Sequence, residues 1–363
     1  MDGRVATDND EHDIEEVTLV ARGIATAVAP ETGLTDVQAE LLQAIAAALT
    51  GYDVDYRSLD PLAPADLADV LAARDLEYRQ RIVHHMVLGE LVLRPIPVVV
   101  AHRVAKYAEA LGVQDNFVRV ARRYAQGAYG LAWMDLARSG FVEHVQNADG
   151  ASTTAPARSP IAPADVDPEL EAKWQAFAEL SHDTLGYQVW DMYDSRGFEL
   201  PGAPGGPPVR LAQHDFVHVL ADYGTNLRGE VEVFALIGRA NPDPAGFAWL
   251  ATLIGLFETG YITSSGFFDR DVRDPVIQAP GMHVRVADGI RRGKVIWQRC
   301  NKDLFDFEYH EHAALPVDEV REIIGVPPKS EAALAAGSAA LDSFEGMSET
   351  QRRKVAERRG GVG

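Results

Sequence analysis

The chain has 363 residues, 47% of them apolar, with a single cysteine and a formal net charge of −20. That length suffices for a sizeable core and points to two domains, and the charge excludes broad nucleic-acid binding and a polybasic membrane tether. With Cys300 alone, an intrachain disulfide framework and a cysteine-built zinc site are excluded, leaving a reduced, half-buried thiol.

The first residues, MDGRVATDND, lack the basic and apolar regions of a signal peptide and the Arg/Ser-rich, acid-poor character of a transit peptide. No apolar run approaches the ~20 residues that span a bilayer. The expected setting is a bacterial-type cytoplasm. Residues 1–16, with DNDEHDIEE, read as an acidic, disordered terminus.

Residues 17–146 read as helix after helix, an N-terminal helical domain. TDVQAELLQAIAAALTG starts at a Thr35 cap and stops at Gly51. EYRQRIVHHMVLGELVL follows; His84 and His85 have no carboxylate at ligand spacing and read as packing or surface histidines. PIPVVVAHRVAKYAEALGV carries Pro97 near its start and Gly112 near its end. QDNFVRVARRYAQGAYGLAWMDLARSGF completes the set. Strand signals are few, so the expected fold class is all-α.

Residues 147–168, NADGASTTAPARSPIAPADVDP, have linker composition. Residues 169–328 read as a second helical bundle, opening with PELEAKWQAFAELSHDTLGYQVWDMY and the Gly/Pro-rich surface loop GFELPGAPGGPPVR. GFAWLATLIGLF (246–257) is apolar nearly all round and reads as a buried helix. RVADGIRRGKVIWQR carries Arg285, Arg291, Arg292, Lys294 and Arg299 and reads as a solvated face. His310 and His312, in HEH, are a weak second metal candidate on a strand or loop. PVDEVREIIGV opens with Pro316 and ends at Gly325. The tail, residues 329–363, reads as a frayed helix or a disordered segment.

The chemistry concentrates in QHDFVHVLADYGTNLRGEVEVF (213–234). On a helix His214 and His218 share a face, Asp215 lies at its edge and Asp222 continues it, while Phe216, Val219, Leu220 and Tyr223 lie opposite. Gly224 is a candidate C-cap, and Thr225 or Asn226 caps a second, antiparallel helix. On that helix Glu230 shares a face with Val233, Phe234 and Ile237, whereas Glu232 points elsewhere and reads as surface. A carboxylate on an apolar face must be paired, hydrogen-bonded, metal-bound or protonated. Two imidazoles four apart, completed by a carboxylate from a neighbouring helix, suit zinc with an open position or iron(II). Asp215 is either a fourth ligand or the group that orients a ligating histidine. A rival, the HD-type phosphohydrolase, needs a further histidine and aspartate, for which only His182 and Asp183 are at hand.

HDxxH, eleven residues and a glutamate, embedded as HDFVHVLADYGTNLRGE, resemble the coenzyme Q biosynthesis protein 4 family. DTLGYQVWDMYDSRGFELP, GLFETGYI, GIRRGKVIWQ and LFDFEYHEHAALPVDEVREIIGVPP are similar to its flanking segments, so the resemblance covers about residues 183–328. It implies a mostly helical fold, a divalent metal, most often zinc, held by His214, Asp215, His218 and Glu230, and isoprenoid lipid in an apolar cavity. The implied activity is decarboxylation or oxidative decarboxylation at C1 of a prenylated hydroxybenzoate-type ring; the alternative is a non-catalytic lipid-binding scaffold. Expected partners are a prenylated quinone precursor or isoprenoid lipid, other quinone-biosynthesis enzymes and a second copy of the chain. The expected location extends to peripheral contact at the inner face of the cell membrane. Residues 1–145 have no counterpart there and are only faintly similar to TerB-like helical domains.

Overall fold

Helices begin in this chain where a side chain can satisfy their first amides. In the computed structural model, which describes residues 13–114, 118–119, 166–241, 244–258 and 276–360, Asp13 caps α1 (Ile14–Val28). Thr35 caps α2 (Asp36–Thr50) with a reciprocal bond to Gln38, and Gly51 closes that helix in the left-handed region. The amide nitrogen of Gln38 then donates to the Val28 and Gly89 carbonyls at 2.9 and 2.8 Å. One buried side chain thus ties α1 and α2 to α4 (Leu76–Leu91). The short α3 (Pro64–Val70) and α5 (Val98–Ala110) complete this half.

The remaining helices are α6 (Pro168–Gln175), α7 (Leu185–Arg196), α8 (Val209–Ala221), α9 (Leu227–Ala240), α10 (Pro244–Glu258), α11 (Met282–Cys300), α12 (Val317–Ile324), α13 (Glu331–Ala335) and α14 (Glu349–Gly360). The all-α expectation holds: the described residues form fourteen α-helices and no strand. The expected caps at Thr35, Gly51, Asn226, Pro316 and Gly325 are all in place. None of the described helices is long and apolar enough to cross a membrane. The acidic terminus to residue 12, most of the helical segment expected over residues 114–141 and the linker to residue 165 lie outside the described residues.

Two contacts set the architecture. The α9 and α11 backbones lie against each other because Gly289 and Gly293 leave the facing side bare; a Cβ on Gly293 would sit 2.2 Å from the Leu236 carbonyl. Helix α2 then packs on α11 and α4 on α10, and one apolar cluster takes in Val17, Leu42, Val87, Leu236, Ile290 and Leu341. Helices on both sides of residues 147–168 therefore share a core.

Three sequence expectations change. Glu232 is 1% exposed, not surface, and meets Arg285 at 2.5 Å. Arg285 and Arg292 are themselves buried, so the inner side of α11 is an ion-paired face rather than a solvated one. The tail is also ordered: α13, a short 3-10 turn and α14 run back over the C-terminal half. Three- and four-residue spacing identified the helices but could not say which charged side chains would find buried partners.

Candidate metal centre

Helix α8 starts at Pro208 and carries its apolar face inward, Phe216 stacking on Tyr309 with centroids 4.7 Å apart. It stops at Asp222, which adopts φ 56°, so the backbone reverses there rather than at Gly224. The last carbonyls are not left bare. Arg321 donates to Leu220 and Val219 at 2.9 and 3.1 Å, and Arg292 donates to Ala221 at 3.0 Å. Asn226 then caps α9 through the amides of Arg228 and Gly229. This turn brings Glu230, in the first turn of α9, opposite His214 and His218.

The ligand atoms of His214, His218 and Glu230 all lie within 4.8 Å of one another. His218 Nε2 is 3.3 Å from Glu230 Oε1, and His214 Nε2 is 3.4 Å from Glu230 Oε2. The imidazole tautomers are set from behind. Nδ1–H of His218 donates to the Tyr223 carbonyl at 3.2 Å, and Nδ1–H of His214 donates to the Leu211 carbonyl. Both Nε2 lone pairs therefore point to the same place as the carboxylate. His218 is fully buried, and its Nε2 has no partner with hydrogen-bond geometry despite the nearby carboxylate. Donors ~2.1 Å from a tetrahedral ion stand ~3.4 Å apart, which is the spacing of the two histidine–glutamate pairs. The group fits a divalent cation by donor type, spacing and the orphaned nitrogen.

Asp215 stands at the edge. Its Oδ1 is 3.6 Å from His214 Nε2, and its Oδ2 accepts from the Tyr193 hydroxyl at 2.5 Å. It falls outside the three-residue group. Burial pushes its carboxyl up, against the pull of His214 and His218. Burial would also push the His214 imidazole down, but Asp215 and Glu230 outweigh it and hold it up at about 10. For Glu230 burial acts upward, and the two imidazoles win, leaving it at about 2. Without a cation the three residues are thus a buried ion-paired cluster.

The other candidates go elsewhere. Asp222 leaves the helical stripe; its carboxylate accepts from the Leu341 amide at 3.0 Å and faces Lys329. His310 packs against Trp174, Phe177 and Phe216, and His312 bonds back to the Glu308 carbonyl. His182 and Asp183 are exposed, the former stacked on Tyr187, so the pair that a phosphohydrolase reading requires is not assembled here.

Sequence reasoning missed the groups that hold the turn. The tail crosses the α8–α9 loop: Asn226 donates to the Gly346 and Glu345 carbonyls, and Gln351 donates to the Thr225 carbonyl while its oxygen accepts from the Thr225 hydroxyl. Gly224 and Gly346 touch, and a Cβ on Gly224 would lie 2.4 Å from Gly346 Cα. Arg196, from α7, donates to Thr225 and to the Leu341 carbonyl. No local spacing signals such contacts, since their partners lie 126 and 145 residues apart.

No protein-family model matches the chain, and no curated protein matches it. Among solved structures, one from Nostoc punctiforme, provisionally assigned to ubiquinone biosynthesis, is 18% identical. It covers 69% of this chain and 98% of its own, with a TM-score of 0.30. At that identity and TM-score no function passes from one protein to the other.

Proposed function

We propose that this protein holds one divalent metal through His214, His218 and Glu230 and acts in quinone biosynthesis, on the carboxylate-bearing ring of a prenylated hydroxybenzoate-type precursor. The observation that carries the metal is the buried donor triangle with its orphaned His218 nitrogen. The pathway rests on the resemblance of residues 183–328 to the coenzyme Q biosynthesis protein 4 family. Two nitrogens and a carboxylate suit zinc first and iron(II) second. Bound there, the cation would supply a Lewis acid that stabilises negative charge as the ring carboxylate leaves as CO2 and a proton from solvent takes its place on the ring carbon. The chain's own residues prepare the place. The Tyr223 and Leu211 carbonyls fix both imidazole tautomers, Tyr193 holds Asp215 beside His214, and Phe234 packs on the His214 ring. Asp222, bonded to the Leu341 amide, stands apart from the donor group.

The enclosure of the donors, whose side chains are 12, 1 and 11% exposed, favours a second reading. In it the metal only braces the α8–α9 hairpin of a non-catalytic scaffold that presents a lipid precursor to partner enzymes. Elemental analysis of purified protein is expected to find about one equivalent of divalent metal, lost in His218→Ala and in Glu230→Ala. Equal metal content in all three proteins would reject the site. Incubating metal-loaded protein with prenylated 4-hydroxybenzoate separates the readings: CO2 release marks the enzyme, and binding without release marks the scaffold.

A further inference from the structure

Tyr193 and Asp215 stand beside the donor triangle without belonging to it. Neither Asp215 oxygen joins the group whose donors all lie within 4.8 Å of one another. Donors that share one ion at ~2.1 Å stand no more than ~4.2 Å apart, so Asp215 is not a ligand where the structure places it. Yet it is not remote. Its Oδ1 is 3.6 Å from His214 Nε2, the nitrogen that faces the metal position. Its side chain is 13% exposed, and Tyr193 is its hydrogen-bond donor, reaching Oδ2 at 2.5 Å. A carboxylate so enclosed needs a partner; with the hydroxyl removed and a cation bound, that partner would be the cation.

The hydroxyl is a fixed post. Tyr193 lies on α7 and is 2% exposed, its ring packed on Trp174 and Phe198 at centroid distances of 5.7 and 5.9 Å. Trp174 packs in turn on Phe216 of α8, the helix that carries Asp215. One aromatic cluster therefore holds both post and carboxylate in place. Three protein donors with a fourth position free is the arrangement that lets a metal take an outside ligand. The family resemblance implies Asp215 in that fourth position; the structure gives the carboxylate to Tyr193 instead. We propose that Tyr193 is a positioning residue that holds Asp215 off the metal and so keeps the fourth position open to an outside anion, the carboxylate of a substrate among them. This role rests on the metal reading of His214, His218 and Glu230.

The test loads the full chain with cobalt(II), whose visible bands respond to a change of ligand, and titrates in azide, a small anion that enters an open position. The unmodified protein is expected to bind azide saturably. Tyr193→Phe keeps the ring and its packing and removes only the hydroxyl. Asp215 is then free to close on the metal, and azide affinity is expected to fall at least about tenfold. Adding Asp215→Asn to that variant removes the competing carboxylate. Azide affinity is then expected to return to within about threefold of the unmodified protein, a rescue that a merely structural role for Tyr193 does not produce. A smaller fall in Tyr193→Phe, no recovery in the double variant, or bands in the unmodified protein that azide leaves unchanged overturns the proposal. Absence of cobalt bands in the unmodified protein rejects the metal site itself, and the proposal falls with it.

Discussion

At the residue scale, His218 and Glu230 were legible because helical phase puts one on a shared face with His214 and the other on an apolar face, where a charge needs a partner. Asp215 was not, because adjacent helical residues point ~100° apart and only the position of Tyr193 decides which way its carboxylate is held. The protonation of the triangle sets a pH dependence. His214 rises from 6.5 to about 10, so its contribution to the metal-free fold is fully present below about pH 6.5 and is lost as pH climbs through about 10. Glu230 falls from 4.5 to about 2, so its contribution is present above about pH 4.5 and is lost as pH drops through about 2. The metal-free pair is thus strongest from about pH 4.5 to 6.5. A cation must displace the His214 proton. Calorimetry of zinc binding at pH 7.5 in buffers of different ionisation enthalpy is expected to show release of about one proton, with affinity rising about tenfold per pH unit between pH 7 and 9. Pure pH independence over that range would show that His214 is not a ligand.

At the element scale, the α8–α9 hairpin carries the donors, and its turn is held by distant parts of the chain. The capping residue Asn226 was readable from sequence because its acceptor role is local. Its second role, donating to the tail, was not, because composition alone describes residues 329–363 as Ala-rich and charged. Gln351→Ala would leave the Thr225 hydroxyl and carbonyl short of their buried partner. It should lower stability by about 1–3 kcal/mol in urea titrations and speed metal loss to a chelator. Unchanged chelation kinetics would mean that the tail braces the fold without bracing the site. The α9–α11 interface offers a second case. Glu232 and Arg285 are a buried pair in which Glu232 Oε1 and Arg285 Nε remain unsatisfied. Glu232→Ala alone should cost about 3–5 kcal/mol, whereas Glu232→Met with Arg285→Leu should lie near neutral or stabilise. A single substitution no worse than the double would show that the pair is solvated in practice.

At the scale of the whole molecule, helices from both ends of the chain share one core, and a cavity lined in part by His85 forms where they meet. His85 is a group that folding discharges, from 6.5 to about 3, burial being the main cause. Between those values the unfolded chain binds a proton that the folded one refuses. Stability therefore falls as pH drops below about 6.5, by about 1.4 kcal/mol per unit from this residue. His85→Phe should remove that share of the slope in denaturation curves from pH 6.5 to 4; identical slopes would mean that His85 protonates in the folded state.

Sequence by itself determined the all-α class, the helix caps and the pairing of His214 and His218 with a needy carboxylate. Each follows from periodicity or from a contact spanning a few residues. Tertiary structure alone decided that the tail binds the α8–α9 turn, that Asp222 leaves the His214–His218 stripe, that Glu232 is buried and that Asp215 answers to Tyr193. Those outcomes depend on partners 22 to 126 residues away. No local pattern encodes such a partner, because burial and charge pairing are settled only when the helices pack.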